Sequence, residues 1–511
     1  MHILRKIQNL LAITLVMTLF PTPVFPASVG AQHPSSHGPS VVFPATGGNT
    51  SSSAFQEVSP ASATGPLFVN PDNPRYFTDG TVLNGKYKAV FLTGSHTWCN
   101  LIDCDDTNPI AATFNYPAFL DFLIAKNHNF FRLWRAENAR GGEAGPNFWF
   151  NPMPYARSGQ CCAFDGGNKF DLTQFNQAYF DRMRQRVIEA GNRGIYVSVM
   201  LFDGWSVESK LGGHNPWEGH PYKLSNNINN VNGDGNNDNQ GGETHTLANS
   251  QITALQEAYV RKVIDTVNDL DNVLYEISNE SPNNSEAWQY HMINLIKNYE
   301  AGKPKRHPVG MTVEYPNGSN ADLFNSPADW ISPNGDLNNP PLSNGSKVIL
   351  ADTDHLCGIC GNRQWVWKSF TRGENPIFMD VYDNATTGRG SSVPFSNPNE
   401  GEIRNNLGYV RSYALRMNLA AMTPTNSTSL CSTGYCLRNA VSSGAEYLAY
   451  LPSGGSITIN LSATQGTLTI EWFNPSNGNT VSGGTVNGGA NRQFTAPFSG
   501  DAVLYLKSTS P

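Results

Sequence analysis

The sequence predicts an α/β protein: a (β/α)8 barrel followed by a small C-terminal β-sandwich. Three observations lead there. Between Leu67 and about Pro424, short β-branched or apolar runs alternate with longer amphipathic stretches, the pattern of a parallel sheet wrapped by helices. Eight strand and helix pairs fit this one segment, which is the count a closed barrel needs. No Gly-rich phosphate turn follows any strand, so a doubly wound dinucleotide-binding sheet has little support.

The strand candidates, in order, are Ala89 to Thr93, Asn129 to Leu133, Ile195 to Leu201, Val273 to Ile277, Pro308 to Thr312, Asp329 to Ser332, Val348 to Ala351 and Pro376 to Met379. Asn176 to Ala190, Ile252 to Asn268, Glu286 to Glu300 and Gln364 to Phe370 read as amphipathic helices between them, and Ile403 to Met417 follows the last strand. After Pro424 the pattern becomes short alternating runs, at Tyr447 to Leu451, Ile457 to Leu461, Leu468 to Phe473 and Ala502 to Leu506, separated by Gly, Ser and Asn clusters. The barrel is therefore expected over residues 66–424 and the sandwich over 440–511.

The N-terminus sets Arg5 and Lys6 before the apolar stretch Leu10 to Phe20 and ends in small residues at Val29-Gly30-Ala31. That is the layout of a signal peptide over residues 1–31, so a secreted protein is expected. Residues 32–65 are rich in Ser, Pro, Gly and Thr with few large apolar groups, and read as a disordered linker. The chain has 511 residues, a formal net charge of -7 and 15% charged residues, which argues against nucleic acid as a partner. No apolar run reaches the roughly 18 residues of a membrane span. Eight Cys in an exported chain indicate disulfides. Cys431 with Cys436 and Cys99 with Cys104 flank short loops and are expected to pair. The Cys357-Gly358-Ile359-Cys360 segment is expected to rigidify a loop after the seventh strand, and adjacent Cys161 and Cys162 to pair elsewhere.

In such a barrel the chemistry sits where strands end. The first strand runs into Ser95-His96-Thr97-Trp98, the second contains Arg132 and ends in Trp134-Arg135, and the third ends in Asp203-Gly204-Trp205. The fourth ends in Ser278-Asn279-Glu280, the fifth in Glu314-Tyr315, the seventh in Asp352-Thr353-Asp354-His355, and the eighth in Asp380-Val381-Tyr382-Asp383. Aromatic faces stack on the apolar faces of sugar rings while carboxylates and amides bind hydroxyls, so a carbohydrate is the expected ligand. Glycosidic cleavage needs one carboxylic acid to protonate the leaving oxygen and a second carboxylate as nucleophile or base. Glu280 and the Asp352/Asp354 pair supply them from opposite sides of the ring.

Tyr275-Glu276-Ile277-Ser278-Asn279-Glu280 resembles the fourth-strand signature of the clan of (β/α)8 retaining glycoside hydrolases that includes cellulases and mannanases. The resemblance implies that Glu280 is the acid/base and that the Asn279 amide holds the sugar 2-hydroxyl. Arg75-Tyr76-Phe77-Thr78-Asp79-Gly80, followed by Leu92 to Trp98, is similar to the opening of apiosidase-like bacterial glycosidases, whose barrel also precedes a small β-domain. The clan pattern implies a Glu nucleophile at the end of strand seven, where this sequence has Asp352 and Asp354. The second carboxylate is therefore expected at Asp354, the residue nearer the mouth if the strand runs through both, with Asp352 deeper and orienting Arg132 or His96. Glu314 and Asp380 remain alternatives. Carboxyl separations of about 5 Å accompany retention and roughly 6.5 to 9.5 Å inversion.

His96, Trp98, Arg132, Trp134, Asp203, Trp205, Asn279, Asp352, His355 and Asp380 are expected to bind or support the sugar. Arg132 reads either as a buried partner of a structural acid or as the cation beside the nucleophile, where it would keep a carboxylate ionised. His96 and His355 lack a metal-binding spacing, so no metal and no cofactor are expected. Asn232 to Asp238 offers oxygen ligands at calcium-loop spacing but no closing Glu at position twelve, and is read as a turn-rich loop. The function that follows is a secreted glycoside hydrolase; the alternative is a non-catalytic carbohydrate-binding protein on a glycosidase scaffold. An adhesin working through the C-terminal β-domain is a third class. The oligomeric state is left open by the sequence.

Overall fold

The computed structural model describes residues 61–83, 85–110, 113–382 and 397–509. The expected signal peptide, the linker as far as residue 60, and Asp383 lie outside the described residues. Eight parallel strands form the central sheet: β1 (Gly94–His96), β2 (Phe130–Leu133), β3 (Tyr196–Asp203), β4 (Val273–Asn279), β5 (Val309–Thr312), β6 (Trp330–Ser332), β7 (Val348–Asp352) and β8 (Asn375–Met379). They are hydrogen-bonded in the order β1-β8-β7-β6-β5-β4-β3-β2. The seam between β1 and β2 is closed just below the strands, where Asn129 N donates to Thr93 O at 3.0 Å and Asn129 Oδ1 accepts from Thr93 N at 3.1 Å. The ring is thus a (β/α)8 barrel, nearly closed.

Among the described residues its α-helices are α1 (Tyr116–Ala125), α2 (Gln177–Gly191), α3 (Ser250–Val267), α4 (Glu286–Glu300), α5 (Asn320–Asn325), α6 (Thr353–Cys357), α7 (Arg363–Thr371) and α8 (Glu400–Arg416). Trp288, Met292, Ile293 and Ile296 recur at helical spacing on α4 and are all buried. Covering such side chains stabilises the fold by about 1.5–3 kcal/mol each. The expected eight pairs are not regular: residues 333–347, between β6 and β7, hold Pro333, Pro340, Pro341 and several Asn, and no helix forms there. The first strand also lies later than expected. Phe91 and Leu92 are apolar because they are buried, while the ladder to β8 is made by Gly94–His96, so apolar content marked burial rather than pairing. Residues 63–64, expected in the linker, already bond to the barrel: Ala63 N donates to Gly191 O, and Tyr196 Oη to Thr64 O.

The C-terminal region contains β9 (Thr423–Thr425), β10 (Cys436–Asn439), β11 (Glu446–Leu451), β12 (Ser456–Asn460), β13 (Thr467–Asn474), β14 (Asn479–Asn487), β15 (Asn491–Thr495) and β16 (Ala502–Ser508). A six-stranded antiparallel sheet, β9-β10-β11-β16-β13-β14, faces the two-stranded ribbon β12-β15. It begins at Thr423, ahead of the expected residue 440. Alternation along β11 divides its side chains between two cores. Tyr447, Ala449 and Leu451 join Leu468, Trp472, Ile457 and Phe494 between the sheets, while Leu448 and Tyr450 join the barrel core with Phe473, Val503 and Tyr505. Trp367 of α7 stacks on Tyr450 at 6.2 Å between ring centroids, and Arg363 bonds both Glu402 and Asp501.

Cys99–Cys104, Cys357–Cys360 and Cys431–Cys436 are bonded. Cys161 and Cys162 bond to each other rather than to other cysteines, because the remaining six are already paired locally. Among the described residues, no helix is long and apolar enough to cross a membrane.

The seam yields a test. A Cβ added at Gly94 would lie 2.1 Å from the Phe130 carbonyl oxygen, a backbone atom that cannot rotate away. Gly94→Ala is expected to cost about 1–3 kcal/mol or more, as overpacking does, read as a fall in the thermal unfolding midpoint.

Candidate active site

Strand ends place a buried polar cluster at the C-terminal mouth of the barrel, and Arg132 of β2 is its hub. Its guanidinium is 1% exposed. Nε donates to Glu276 Oε2 at 2.9 Å, Nη2 to Glu276 Oε1 and to Asn279 Oδ1 at 2.7 Å, and Nη1 to both Asp352 Oδ2 and Asp354 Oδ2 at 3.0 Å. Burial opposes the charge on Arg132, but Glu276, Asp352 and Asp354 more than offset it and hold its pKa above the usual value.

Asp352 is fully buried and accepts from His96 Nε2 at 2.9 Å as well as from Arg132. The Trp134 indole donates to His96 Nδ1 at 3.0 Å, and an indole can only donate, so the ring proton of His96 sits on Nε2 and points at Asp352. Burial pushes the Asp352 carboxyl up, yet His96 and Arg132 overcome it and hold its pKa well below the usual carboxylate range. The strand does not run through both aspartates: β7 ends at Asp352, which caps α6 by accepting from Asp354 N at 2.9 Å. Asp354 therefore reaches the guanidinium from the first turn of a helix. His355 donates or accepts between Ser332 Oγ at 2.6 Å and Asn279 Oδ1 at 3.4 Å, and burial draws its pKa down to about 4.

Asn279 ends β4 and Glu280 follows it. Asn279 is buried; its Oδ1 takes Arg132, and its side chain also hydrogen-bonds the neighbouring Asp203 carboxyl, lowering that acid's pKa in part. Glu280 is 2% exposed with a φ of 39°, in the left-handed region, and its Oε2 accepts from the Trp205 indole at 2.6 Å. Opposite Asn279 in register is Asp203 at the end of β3. Burial raises the Asp203 carboxyl from 3.8 to about 7; Ser206 lowers it in part and Glu137 adds to the rise. Trp98 packs against Trp134 at 6.2 Å between centroids, alongside Ile359 of the Cys357–Cys360 loop.

Asp380 is not brought into this cluster: both its oxygens accept from Arg404 of α8. Glu314 likewise turns aside, accepting from Ser285 Oγ and Asn284 N. Trp217 is fully buried, against Gly233, Gly241 and the His220 ring. Asp234, Asp238 and Glu243 bring ligand atoms within 4.8 Å of one another, but Asp234 accepts from Asp238 N and Asn239 N, and Glu243 from Asn236 N, the bonds of a self-tied turn.

Two features escaped the sequence. Glu276, four residues before Glu280, is the buried bidentate partner of Arg132; an acid inside an otherwise apolar strand was its only signal. Behind the site, Glu137 accepts from His245 Nε2 at 3.1 Å and from Asp203 N at 2.8 Å, with Arg135 at 3.6 Å and His220 at 3.7 Å. Burial would raise the Glu137 carboxyl, but Arg135, His220 and His245 together hold it well below its usual value. His245 continues to Ser281 Oγ at 3.1 Å, next to Glu280. These residues come from three separate loops, and no spacing connects them.

Two family models match parts of the chain: a domain of unknown function, DUF6298, over residues 129–315, and a "Putative collagen-binding domain of a collagenase" over residues 437–507. No curated protein matches the sequence. Among solved structures, a glycoside hydrolase family 5 protein from Bacteroides vulgatus is 14% identical with a TM-score of 0.55, over 88% of this chain and 95% of its own. A second, titled glycoside hydrolase, is 12% identical with a TM-score of 0.54, over 87% of this chain and 97% of its own. At these identities the likeness shows the fold, a glycosidase-type barrel followed by an antiparallel sheet region.

The raised Asp203 carboxyl carries a sign. Its folded pKa of about 7 lies above the 3.8 of an ordinary aspartate, so the folded state holds the proton more tightly. The stability this gives is fully present below about pH 4 and is lost as pH rises through about 7. Asp203→Asn is expected to flatten that part of the pH–stability curve, with denaturant midpoints of variant and wild type diverging in the variant's favour toward neutral pH.

Proposed function

We propose that the chain is a secreted glycoside hydrolase that cleaves O-glycosidic bonds in a polysaccharide or oligosaccharide through two carboxylates, with Glu280 as proton donor and Asp354 as the second carboxylate. One observation carries this reading. Glu280 and Asp354 flank a single buried relay in which Asn279 and Arg132 bond each other and Arg132 bonds Asp354. The Asn279 side chain, set between Arg132 and the Asp203 carboxyl, is the group to which the clan resemblance gives the sugar hydroxyl. Trp98, Trp134 and the stacked pair Trp205 and Tyr315 supply aromatic surface around it. Asp352, held by His96 and Arg132, supports the guanidinium rather than the anomeric carbon. The signal-peptide layout and four disulfides favour export.

In the first step, Glu280 protonates the leaving oxygen while a carboxylate across the mouth attacks the anomeric carbon or activates water. Nuclear magnetic resonance of the first-formed product distinguishes the two outcomes by its anomeric configuration. A second reading has a specific basis: strand seven brings aspartates where the clan carries glutamate, as a carbohydrate-binding protein with a decayed catalytic pair would. Saturable binding without release of reducing sugar from a polysaccharide panel would select it.

Glu280→Gln is expected to keep the fold and lower turnover of unactivated glycans by roughly 100-fold or more, with a smaller loss on substrates bearing good leaving groups. Equal activity of variant and wild type on a natural glycan would remove Glu280 from the mechanism. Asp354→Ala is expected to abolish turnover, and azide or formate to restore part of it with inverted product if the residue is the nucleophile. Near-normal activity in that variant would move the second carboxylate elsewhere.

A further inference from the structure

The turn after β3 is built against the acid. Asp203 Oδ1 accepts from Trp205 N at 3.3 Å and Oδ2 from Ser206 Oγ at 2.9 Å, folding Gly204–Ser206 into one 3-10 turn. Gly204 is required there, because a Cβ would lie 2.0 Å from the carbonyl oxygen of Glu280. The turn thus lies directly on the Glu280 backbone and delivers the Trp205 indole to Glu280 Oε2 at 2.6 Å. Tyr315 stacks on the indole at 5.6 Å between centroids and 26° between planes, and its own N–H donates to Ser281 O at 3.0 Å. Indole, tyrosine and acid are therefore all fastened to residues 280 and 281. Glu280 itself has a φ of 39°, a backbone conformation that a residue other than glycine keeps only when its surroundings impose it.

We propose that Trp205 is a positioning residue for Glu280, holding Oε2 as the acceptor of its indole N–H so that the proton to be delivered is carried on Oε1. This rests on the reading of Glu280 as the proton donor. An indole nitrogen has a hydrogen to give and no lone pair to accept with, so the oxygen it touches serves as the acceptor of a neutral carboxyl. In the step, the Oε1 proton moves to the glycosidic oxygen as the bond from that oxygen to the anomeric carbon breaks. The bond's electron pair stays on the leaving oxygen, and Glu280 is left as a carboxylate. The indole then bonds a charged oxygen, and such bonds are the stronger ones. The contact therefore gains strength as the proton leaves, which assists the step as well as aiming it. The other charged groups around this segment are Asp203 at the end of β3, Lys210, which donates to Tyr315 O at 3.2 Å and pairs with Glu208 at 2.7 Å, Glu314 after β5, the His245–Glu137 pair behind Ser281, and Arg132 through Asn279; substituting the indole leaves all of them in place.

Trp205→Phe keeps an aromatic ring against Tyr315 but removes the N–H donor together with the second ring of the indole. With full-length protein and a glycan that the wild type hydrolyses, kcat is expected to fall roughly 10-fold, a fraction of the general-acid effect, while any rise in KM reports the lost aromatic surface separately. The basic limb of the kcat/KM profile is expected to move to higher pH, because a donor to the carboxylate has been removed. Thermal unfolding of each variant separates these changes from loss of fold. In a Glu280→Gln background, Trp205→Phe is expected to add no further loss of kcat, since the indole acts through the acid. An unmoved basic limb, or a full additional loss in the Glu280→Gln background, would overturn the proposal while leaving Glu280 as the acid. Full activity of Glu280→Gln alone would instead overturn the reading beneath it.

Discussion

The mouth of this barrel depends on one buried cation. Arg132 comes from β2, yet its five donors reach β4 through Glu276 and Asn279 and the β7–α6 junction through Asp352 and Asp354. A charge taken out of water is costly unless it is paired and hydrogen-bonded at once, and Arg132 meets that condition with three carboxylates and an amide. The planar fork matters as much as the charge. A lysine at this position could neutralise Glu276 but could not bond it bidentately and still span to the two aspartates. The geometry of Asp354 and of the Asn279 amide therefore follows from one side chain whose every donor is committed.

Around that hub the site is assembled from contacts that restrict rather than add. The Trp134 indole fixes the His96 tautomer, which fixes the direction of the proton toward Asp352. Asp352 in turn caps α6 and sets where Asp354 begins. On the other side of the mouth, Glu137 bonds the Asp203 amide and His245, and His245 reaches Ser281 beside Glu280. Two carboxyl groups at the mouth are pushed apart: His96 and Arg132 hold Asp352 well below its usual range, while burial raises Asp203 to about 7. Neighbouring carboxyl groups with separated protonation are a recurring property of sites that move protons.

Much of this could be read from the chain because strand ends are visible in sequence. Polar residues that follow an apolar run must sit at the mouth if the run is a barrel strand, and His96, Asn279, Glu280 and Asp352 were located that way, while Arg132 stood out as a charge inside one. What a strand end does not reveal is direction. Asp380 has the same sequence setting as Asp203, but Arg404, 24 residues onward, takes both its oxygens. The two-residue spacing of Asp352 and Asp354 suggested one strand face, whereas the capping carboxylate turns the chain into a helix between them. Apolar runs misplaced β1 for a related reason: Phe91 and Leu92 are buried without joining the ladder. The His220, His245 and Glu137 set had no signal at all, since residues far apart in sequence meet only after the loops fold.

The alternation along β11 has a consequence for how the two regions can be separated. One set of its side chains belongs to the core between the C-terminal sheets, and the other, with Phe473 and Tyr505, belongs to the core of the barrel. Such a strand is a shared wall. Cutting the chain before it would expose Trp367 and Tyr413 on the barrel and leave the sheet with an apolar face and no cover. The C-terminal region is thus no detachable cassette that could be moved onto another protein as a separate module. Any exchange between relatives would have to carry α7, α8 and the sheet together, and the pair would melt as one.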